Sequence, residues 1–281
     1  MERLIKLEGI VTGFSVTENF IDCICQKSLL KLDKHSGEVI FSKEIFDKEG
    51  FARNLIADNK NVFIYDFCTL YIFNQKDYEL TGKWQLGTDL TSDICGMSVD
   101  DYTVYCSMRN GRIITVDRQS HEIREHNVTD SSMWSLKIYG NYLIAGTVNG
   151  QLLLIDKATF AIKKKLDLGS QNIRSFWIDD QTLYAASQDK KIFKLNLPKF
   201  ELNGVKRNAH RKMFDCIGLY ENMLITISHP CSEINLWDKE TLEMRKEMRT
   251  PLKLSGCTHL ENNHLYISSR NILGINVLDL G

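Results

Sequence analysis

A unit of about 40 residues recurs along the chain, and this period constrains the fold more than any other feature of the sequence. Each unit contains a β-rich segment that closes with Asp or Asn. Seven closing residues follow one another at intervals of 39 to 43 residues: Asp33, Asn74, Asp117, Asp156, Asn196, Asp238 and Asp279. A unit this short cannot bury its apolar faces alone, so neighbouring units must stack against one another.

The segments within each unit have the composition of β-strands. Segments 103–107 (TVYCS) and 112–116 (RIITV) are rich in β-branched and aromatic residues, and turns such as Asn149-Gly150 bound segments of this kind. We find no apolar spacing of 3.6 residues, which a helical repeat would require. Four strands in each of seven units predict an all-β fold, a seven-bladed β-propeller of four-stranded antiparallel blades that forms a single domain over residues 1–281. The predicted blades lie near 10–50, 51–92, 93–132, 133–172, 173–212, 213–253, and 254–281 together with 1–9.

The two ends of the chain predict how the ring closes. Unit seven stops at Leu280-Gly281, where the other units begin a fourth strand such as 161–169 (AIKKKLDLG). Residues 2–9 (ERLIKLEG) have the missing pattern and precede the first segment of unit one. Because a ring must satisfy its first and last strand edges, we expect the N-terminal strand to complete the last blade.

Unit six resembles the WD-repeat family of seven-bladed propellers. Ala209-His210 stands in the place of the family's Gly-His, Thr226 lies in the second-strand segment, and Trp237-Asp238 is the signature dipeptide. The resemblance implies that His210, Thr226 and Trp237 form a structural hydrogen-bond chain inside this blade. Segment 229–232 (HPCS) replaces the family's Asp-Gly turn, so we expect the chain to be incomplete. The other units lack the signature, and a divergent quinoprotein-like propeller of the same period is the alternative.

Composition excludes several classes of protein. With 35 Lys and Arg against 36 Asp and Glu, the chain has no net field for nucleic acid or anionic lipid. No apolar run reaches the roughly 18 residues that a membrane span needs, and no signal peptide is visible, so we expect a cytoplasmic protein. Catalytic motifs, phosphate loops and zinc-type Cys spacing are missing from the sequence, so we expect no cofactor, no metal and no enzymatic activity.

Charged turns predict that the two faces of the ring differ. Turns between first and second strands are acidic: Glu18, Asp58, Asp100, Asp101, Asp179, Asp180, Glu221 and Glu261. Turns between second and third strands are mostly basic, with Asp189 as the exception: Lys27, Arg109, Lys190, Lys191 and Arg270. This polarity would orient an acidic partner on the basic top face. The competing explanation is that Asp, Glu and Asn are simply good turn residues.

One position near the start of the first strand can be compared across the seven units, and equivalent positions lie on one ring around the propeller axis. The family resemblance implies that this ring lies near the channel mouth on the top face. It is occupied by Thr12, Arg53, Cys95, Trp134, Arg174, Asp215 and Gly256. Trp and Arg dominate the energetics of protein interfaces. We therefore predict a partner-binding surface formed by Arg53, Trp134, Arg174, Asp215, Arg109, Lys190 and Arg270.

The sequence predicts a non-catalytic scaffold that docks an acidic peptide or protein on its basic top face, either alone or as a subunit of a larger complex. The alternative is an enzyme or small-molecule binder with a ligand at the central channel mouth, where Arg53, Arg174 and Asp215 would bind it. Nucleic-acid binding on the basic face would need several aromatic platforms, and only Trp134 qualifies.

Overall fold

The computed structural model describes residues 3–46, 52, 54–228 and 233–281. Within these residues the chain forms seven four-stranded antiparallel sheets, which are the blades of a seven-bladed β-propeller. The predicted all-β class and blade number are therefore confirmed. A 3-10 helix, Leu90–Ser92, precedes the third blade. Across the described ranges no helix has the length and apolar character needed to cross a lipid bilayer.

Blades seven, one and two form one compact unit. Blade one contains strands β2 to β5: Val11–Val16, Phe20–Cys25, Ser28–Asp33 and Val39–Glu44. Blade two contains β6 to β9: Asn54–Ala57, Asn61–Tyr65, Thr69–Asn74 and Leu80–Gln85. Blade seven contains β26, β27, β28 and β1: Leu254–Glu261, His264–Ser269, Gly274–Asp279 and Arg3–Lys6.

Blades three to six form the second compact unit. Blade three contains β10 to β13: Ile94–Val99, Thr103–Met108, Arg112–Asp117 and Ile123–Asn127. Blade four contains β14 to β17: Met133–Tyr139, Tyr142–Thr147, Gln151–Asp156 and Ile162–Asp167. Blade five contains β18 to β21: Ile173–Asp179, Thr182–Ser187, Ile192–Asn196 and Glu201–Lys206. Blade six contains β22 to β25: Phe214–Tyr220, Met223–Ser228, Glu233–Asp238 and Met244–Arg249.

The N-terminal strand completes blade seven, as the sequence predicts. Strand β1 pairs antiparallel with β28, from Arg3 opposite Val277 to Lys6 opposite Gly274. Ile5 is buried between blades seven and one. Gly274 has a φ of +117°, and a Cβ at this position would lie only 2.0 Å from the Ile5 carbonyl oxygen. A glycine is therefore required where the chain termini meet.

The hydrophobic core is divided among the junctions between blades. One cluster packs Ile144 and Leu152 of blade four against Phe176 and Phe193 of blade five. Equivalent clusters fill the junctions between blades seven and one, one and two, three and four, and five and six. Each blade thus buries its apolar faces against its neighbours, which is the packing that the 40-residue period requires.

The recurring Asp has a local structural role at the turn between third and fourth strands. The carboxylate of Asp33 accepts hydrogen bonds from the backbone N–H groups of His35 (2.9 Å) and Ser36 (2.6 Å). Asp117, Asp156 and Asp238 accept the same pair of bonds in their own blades. These bonds lower the pKa values of all four carboxyl groups. The repeat in the sequence is therefore a repeat of Asx turns.

Two ends of each blade can be distinguished. The top end is where the first strand begins and where the second and third strands are joined, as at Met133 and Thr147 of blade four. At the opposite, bottom end, acidic turn residues pair with a lysine from the next blade. The described residues contain three such ion pairs: Lys34–Glu261 (2.5 Å), Lys157–Asp100 (2.5 Å) and Lys239–Asp179 (3.1 Å).

These ion pairs correct the expectation of an acidic bottom face. Three of its eight acids are neutralised by lysines from neighbouring blades. Asp100 also accepts turn hydrogen bonds from the N–H groups of Tyr102 and Thr103. Desolvation raises its pKa, but the hydrogen bond from Lys157 and the turn bonds outweigh this and lower the pKa overall. Turn formation and blade-to-blade pairing therefore explain much of the acidic pattern.

Blade six contains a buried hydrogen-bond chain. The Thr226 hydroxyl oxygen lies 2.7 Å from Nε2 of His210 and accepts a 2.8 Å bond from Nε1 of Trp237. The carboxylate of Glu233 lies 3.4 Å from Nδ1 of His210. The replaced turn at 229–232 lies outside the described residues. Glu233 nevertheless supplies a carboxylate next to the histidine, so the chain is more complete than the sequence predicts.

The closing strand gives a direct test of the fold. Replacing Ile5 by Ala should lower the free energy of unfolding by about 2–4 kcal/mol, because it opens a cavity in the closing junction. Ile10 is 40% exposed, so Ile10→Ala should change stability by less than about 0.5 kcal/mol.

Deleting residues 1–9 should lower the melting temperature of the whole protein in calorimetry. A deletion variant that melts like the intact chain would contradict closure by β1.

The buried histidine predicts a pH dependence of stability. Burial lowers the pKa of His210 to about 4, whereas an unfolded histidine titrates near 6.5. Between these values the unfolded state binds more protons, so stability should fall as pH falls from about 6.5 to 4, by about 3 kcal/mol. The free energy of unfolding, measured with denaturant at several pH values in this range, should fall less steeply with decreasing pH for His210→Gln than for wild type. The exposed His35→Gln is the control, and an equal slope in wild type and His210→Gln would refute the assignment.

Candidate functional site

A β-bulge sets the direction of two predicted site residues. The pairing of β14 with β15 passes from Met133 opposite Thr147 to Ser135 opposite Gly146, which leaves Trp134 as the extra residue. The pairing of β18 with β19 shifts in the same way and leaves Arg174. Bulges bend a strand and redirect a side chain, and they are frequent beside functional sites. The equivalent positions in the repeat therefore have a shared backbone geometry.

The bulge recurs at the equivalent position in blades one and three, and in blade six it lies further along the strand. Thr12 of blade one and Cys95 of blade three occupy the same extra position. In blade six the register shifts between Cys216 and Gly218 instead, so Asp215 is paired regularly with Ile227. The remaining predicted residue of blade two, Arg53, lies outside the described residues.

Arg109 and Trp134 are brought together at the top end of blades three and four. The guanidinium carbon of Arg109 lies 5.5 Å from the centre of the Trp134 ring, within the range of a cation–π interaction. On its other side, Nη2 of Arg109 donates a 3.0 Å hydrogen bond to the buried carboxylate of Asp93. The Arg109 side chain is still 38% exposed. It is therefore held in one orientation while part of the guanidinium faces solvent.

Arg174 and Asp215 form a second pair, at the top end of blades five and six. Nε of Arg174 lies 3.5 Å from the Asp215 carboxylate, an ion pair that is too long to count as a hydrogen bond. The two side chains are 29% and 21% exposed. Asp215 therefore orients Arg174 from the Nε side.

The remaining basic candidates have different surroundings. Lys190 has a φ of +68° and lies in the turn that joins the second and third strands of blade five. The carboxylate of its neighbour Asp189 forms an ion pair with Nζ of Lys191 at 2.6 Å. Desolvation raises the pKa of Asp189, but bonds from Lys191, Ser170 and Ser187 outweigh it and lower the pKa to about 2. In blade seven, Arg270 is exposed at the equivalent turn.

The basic top end is therefore partly compensated by acids that belong to it. Asp93 neutralises Arg109, and Asp189 neutralises Lys191. Neither pairing was predicted from the sequence. The residues of the first pair are 16 positions apart in the chain, and those of the second pair are two apart. Strand and turn geometry brings them together, and a count of charges does not include that geometry.

Apolar side chains at this end were missed by sequence reasoning. Val148 and Met213 are 39% and 36% exposed at the top ends of blades four and six. Met133 and Phe214, which are adjacent to the ring positions, are fully buried. The available signal was an apolar residue inside a polar turn, as in Val148-Asn149-Gly150.

Unsatisfied polar atoms also collect at the top end of blades three to five. Among the described residues, four buried side-chain atoms there lack a hydrogen-bond partner: Nε of Arg109, Oγ of Ser131, Oδ1 of Asn172 and Nε of Arg174. Buried polar groups without partners are uncommon in folded proteins. No group of three His, Cys, Asp or Glu residues suited to a metal ion occurs in the described part of the chain.

Several solved structures are similar to this chain in fold. A chain of the Mitotic Checkpoint Complex aligns with a TM-score of 0.84 at 12% identity, over 99% of this chain and 91% of its own. BamB from Moraxella catarrhalis aligns with a TM-score of 0.71 at 15% identity, over 97% and 86%. The computationally designed Ika8 protein aligns with a TM-score of 0.74 at 12% identity, over 98% of both chains.

At the level of sequence, no protein-family model matches the chain and no curated protein is detectably similar to it. Identities of 12–15% show the fold alone. The chain therefore has the seven-bladed propeller fold.

Proposed function

We propose that this protein is a non-catalytic interaction scaffold that binds an acidic peptide or protein at the top end of blades three to six. The observation that carries the proposal is the Arg109–Trp134 pair, in which a partly exposed guanidinium lies over a partly exposed indole. Trp and Arg are the residue types most enriched among interface hot spots. A propeller fold by itself implies no particular function, so function must come from the residues of this surface.

The physical basis is preorganisation. Arg109 donates a hydrogen bond to Asp93, Arg174 forms an ion pair with Asp215, and Trp134 is redirected by its bulge. Fixing long side chains before binding removes part of the entropy that association would otherwise cost. An acidic partner would then meet guanidinium groups that are already oriented, and carboxylates form strong charge-assisted hydrogen bonds with arginine.

The top end of blades three to six also has the composition of an interface. Val148 and Met213 supply apolar area, and the unsatisfied atoms of Ser131 and Asn172 lie at the same end of the blades. Interfaces combine an apolar centre with a polar rim. Lys190 would attract an acidic partner over longer distances and make association sensitive to salt. Arg270 belongs to the other compact unit.

The checkpoint-complex neighbour supports the same class of function. It is a propeller chain in an assembly of proteins, and its likeness to this chain is limited to the fold. In the proposed role the blades hold the loops rigid, and no covalent bond is made or broken. Binding then depends on the shape and charge of the top end.

The test compares affinity capture from native cell extract by three forms of the protein. Wild type and Tyr102→Ala should retain the same partner, whereas Trp134→Ala combined with Arg174→Ala should retain at least tenfold less. Tyr102 is the matched control because it is an aromatic residue, 77% exposed, at the bottom end of blade three. Raising the salt concentration should also weaken retention, since the contacts are charged.

Each form must first be verified as folded by its melting temperature. Equal retention of every captured protein by wild type and the double variant would contradict the proposal. Loss of the partner in Tyr102→Ala alone would place binding at the opposite end of the blades and would also contradict it.

A further inference from the structure

A buried carboxylate in blade one breaks the pattern of the repeat. Asp22 of β3 is fully buried. Phe20 pairs with the closing Asp33, and Asp22 follows Phe20 by two positions. The equivalent second-strand positions in the other six blades hold apolar or aromatic residues: Phe63, Tyr105, Ile144, Tyr184, Ile225 and Tyr266. Burying a carboxylate is costly, and residues that break a local rule often mark functional sites.

Asp22 is held by two side chains from blade two. Nε2 of Gln75 donates a 2.6 Å hydrogen bond to one carboxylate oxygen, and the hydroxyl of Tyr78 donates to the other. Burial raises the pKa of Asp22, and these two hydrogen bonds together with nearby Lys31 oppose the rise. The network fixes Gln75 and Tyr78 at the bottom end of the junction between blades one and two.

A cavity of about 330 Å³ opens beside this network. Its walls come from turns and strands of blades one and two: Thr17, Phe20, Lys31, Asp58, Asn59, Gln75 and Lys76. The volume is near the lower limit for pockets that bind small organic ligands. Phe20 contributes an aromatic ring that is 36% exposed.

Lys31 gives the cavity a positive charge. Its ammonium group donates a hydrogen bond to the backbone carbonyl of Gln75 and lies 5.5 Å from the Phe20 ring centre and 5.1 Å from that of Tyr78. Neither Lys31 nor Lys76 forms an ion pair with any residue that the structure describes. The Asp58 carboxylate is occupied by the backbone N–H groups of Lys60 and Asn61, both at 2.8 Å. With the buried Asp22 counted, two carboxylates balance the two lysines, but the Asp22 oxygens already accept hydrogen bonds from Gln75 and Tyr78. The ammonium groups of Lys31 and Lys76 are therefore the donors that an anionic ligand would meet in the cavity.

We propose that the cavity between blades one and two binds a small aromatic carboxylate, with its ring against Phe20 and its carboxylate on Lys31 and Lys76. Apolar contact with Phe20 favours the planar ring, and charge-assisted hydrogen bonds from ammonium groups favour the carboxylate. The site is at the bottom end of its blades and uses none of the residues of the top-end docking surface. It is therefore independent of the scaffold function proposed above.

The test uses benzoate and 4-hydroxybenzoate as probes of the full-length protein, with titration calorimetry and ligand-observed NMR. Both should bind wild type at a one-to-one ratio, and neutral benzamide should bind at least tenfold more weakly. Lys31→Met and Phe20→Ala should each weaken binding of 4-hydroxybenzoate at least tenfold. Lys194→Met is the matched control, because Lys194 occupies the same third-strand position in blade five; it should leave affinity unchanged.

Melting temperatures confirm that each variant is folded before affinity is measured. Absence of binding by both benzoates at millimolar concentration would overturn the proposal. Unchanged affinity in Lys31→Met, or an equal loss in Lys194→Met, would also overturn it, because the cation assigned to the ligand would then have no specific role.

Discussion

The structure depends on the packing of each blade against its neighbours, because a four-stranded sheet has two apolar faces and no core of its own. The buried clusters lie at the junctions: Phe176 of blade five against Ile144 of blade four, and Ile5 of blade seven against Val11 of blade one. A stacked array of this kind leaves unsatisfied edges unless its ends meet. Strand β1 pairs with β28 and so completes blade seven with residues from the opposite end of the chain.

The polar residues of the repeat support this packing from the two ends of the blades. Closing aspartates such as Asp33 and Asp238 bind turn amides, which fixes the connection between third and fourth strands. The lysine that follows a closing aspartate reaches the preceding blade, as Lys157 does to Asp100. Where the preceding turn holds Gly140 and Asn141 instead of an acid, the equivalent position is the buried Leu197. Charge at the bottom end therefore follows the structural needs of each junction.

Residues that depart from the repeat are the ones that suggest function. Trp134 and Arg174 stand at bulges where other blades carry small residues such as Thr12 and Cys95. Asp22 stands where the other blades carry Ile, Phe or Tyr. In each case the surrounding structure compensates, through Arg109 over Trp134 and through Gln75 and Tyr78 on Asp22. Such compensation holds bulky or buried polar groups in defined positions.

The sequence by itself determined the class of fold, the number of blades and the closure by the N-terminal strand, because period, alternation and turn residues are local patterns. It also identified His210, Thr226 and Trp237 as candidates for one chain, which the blade brings within hydrogen-bond distance. Only the tertiary structure decided the pairings of Arg109 with Trp134 and of Arg174 with Asp215, since each pair joins neighbouring blades. The bulges, the buried Asp22 network and its cavity belong to the same category. They depend on strand register and side-chain direction, which a single sequence does not specify.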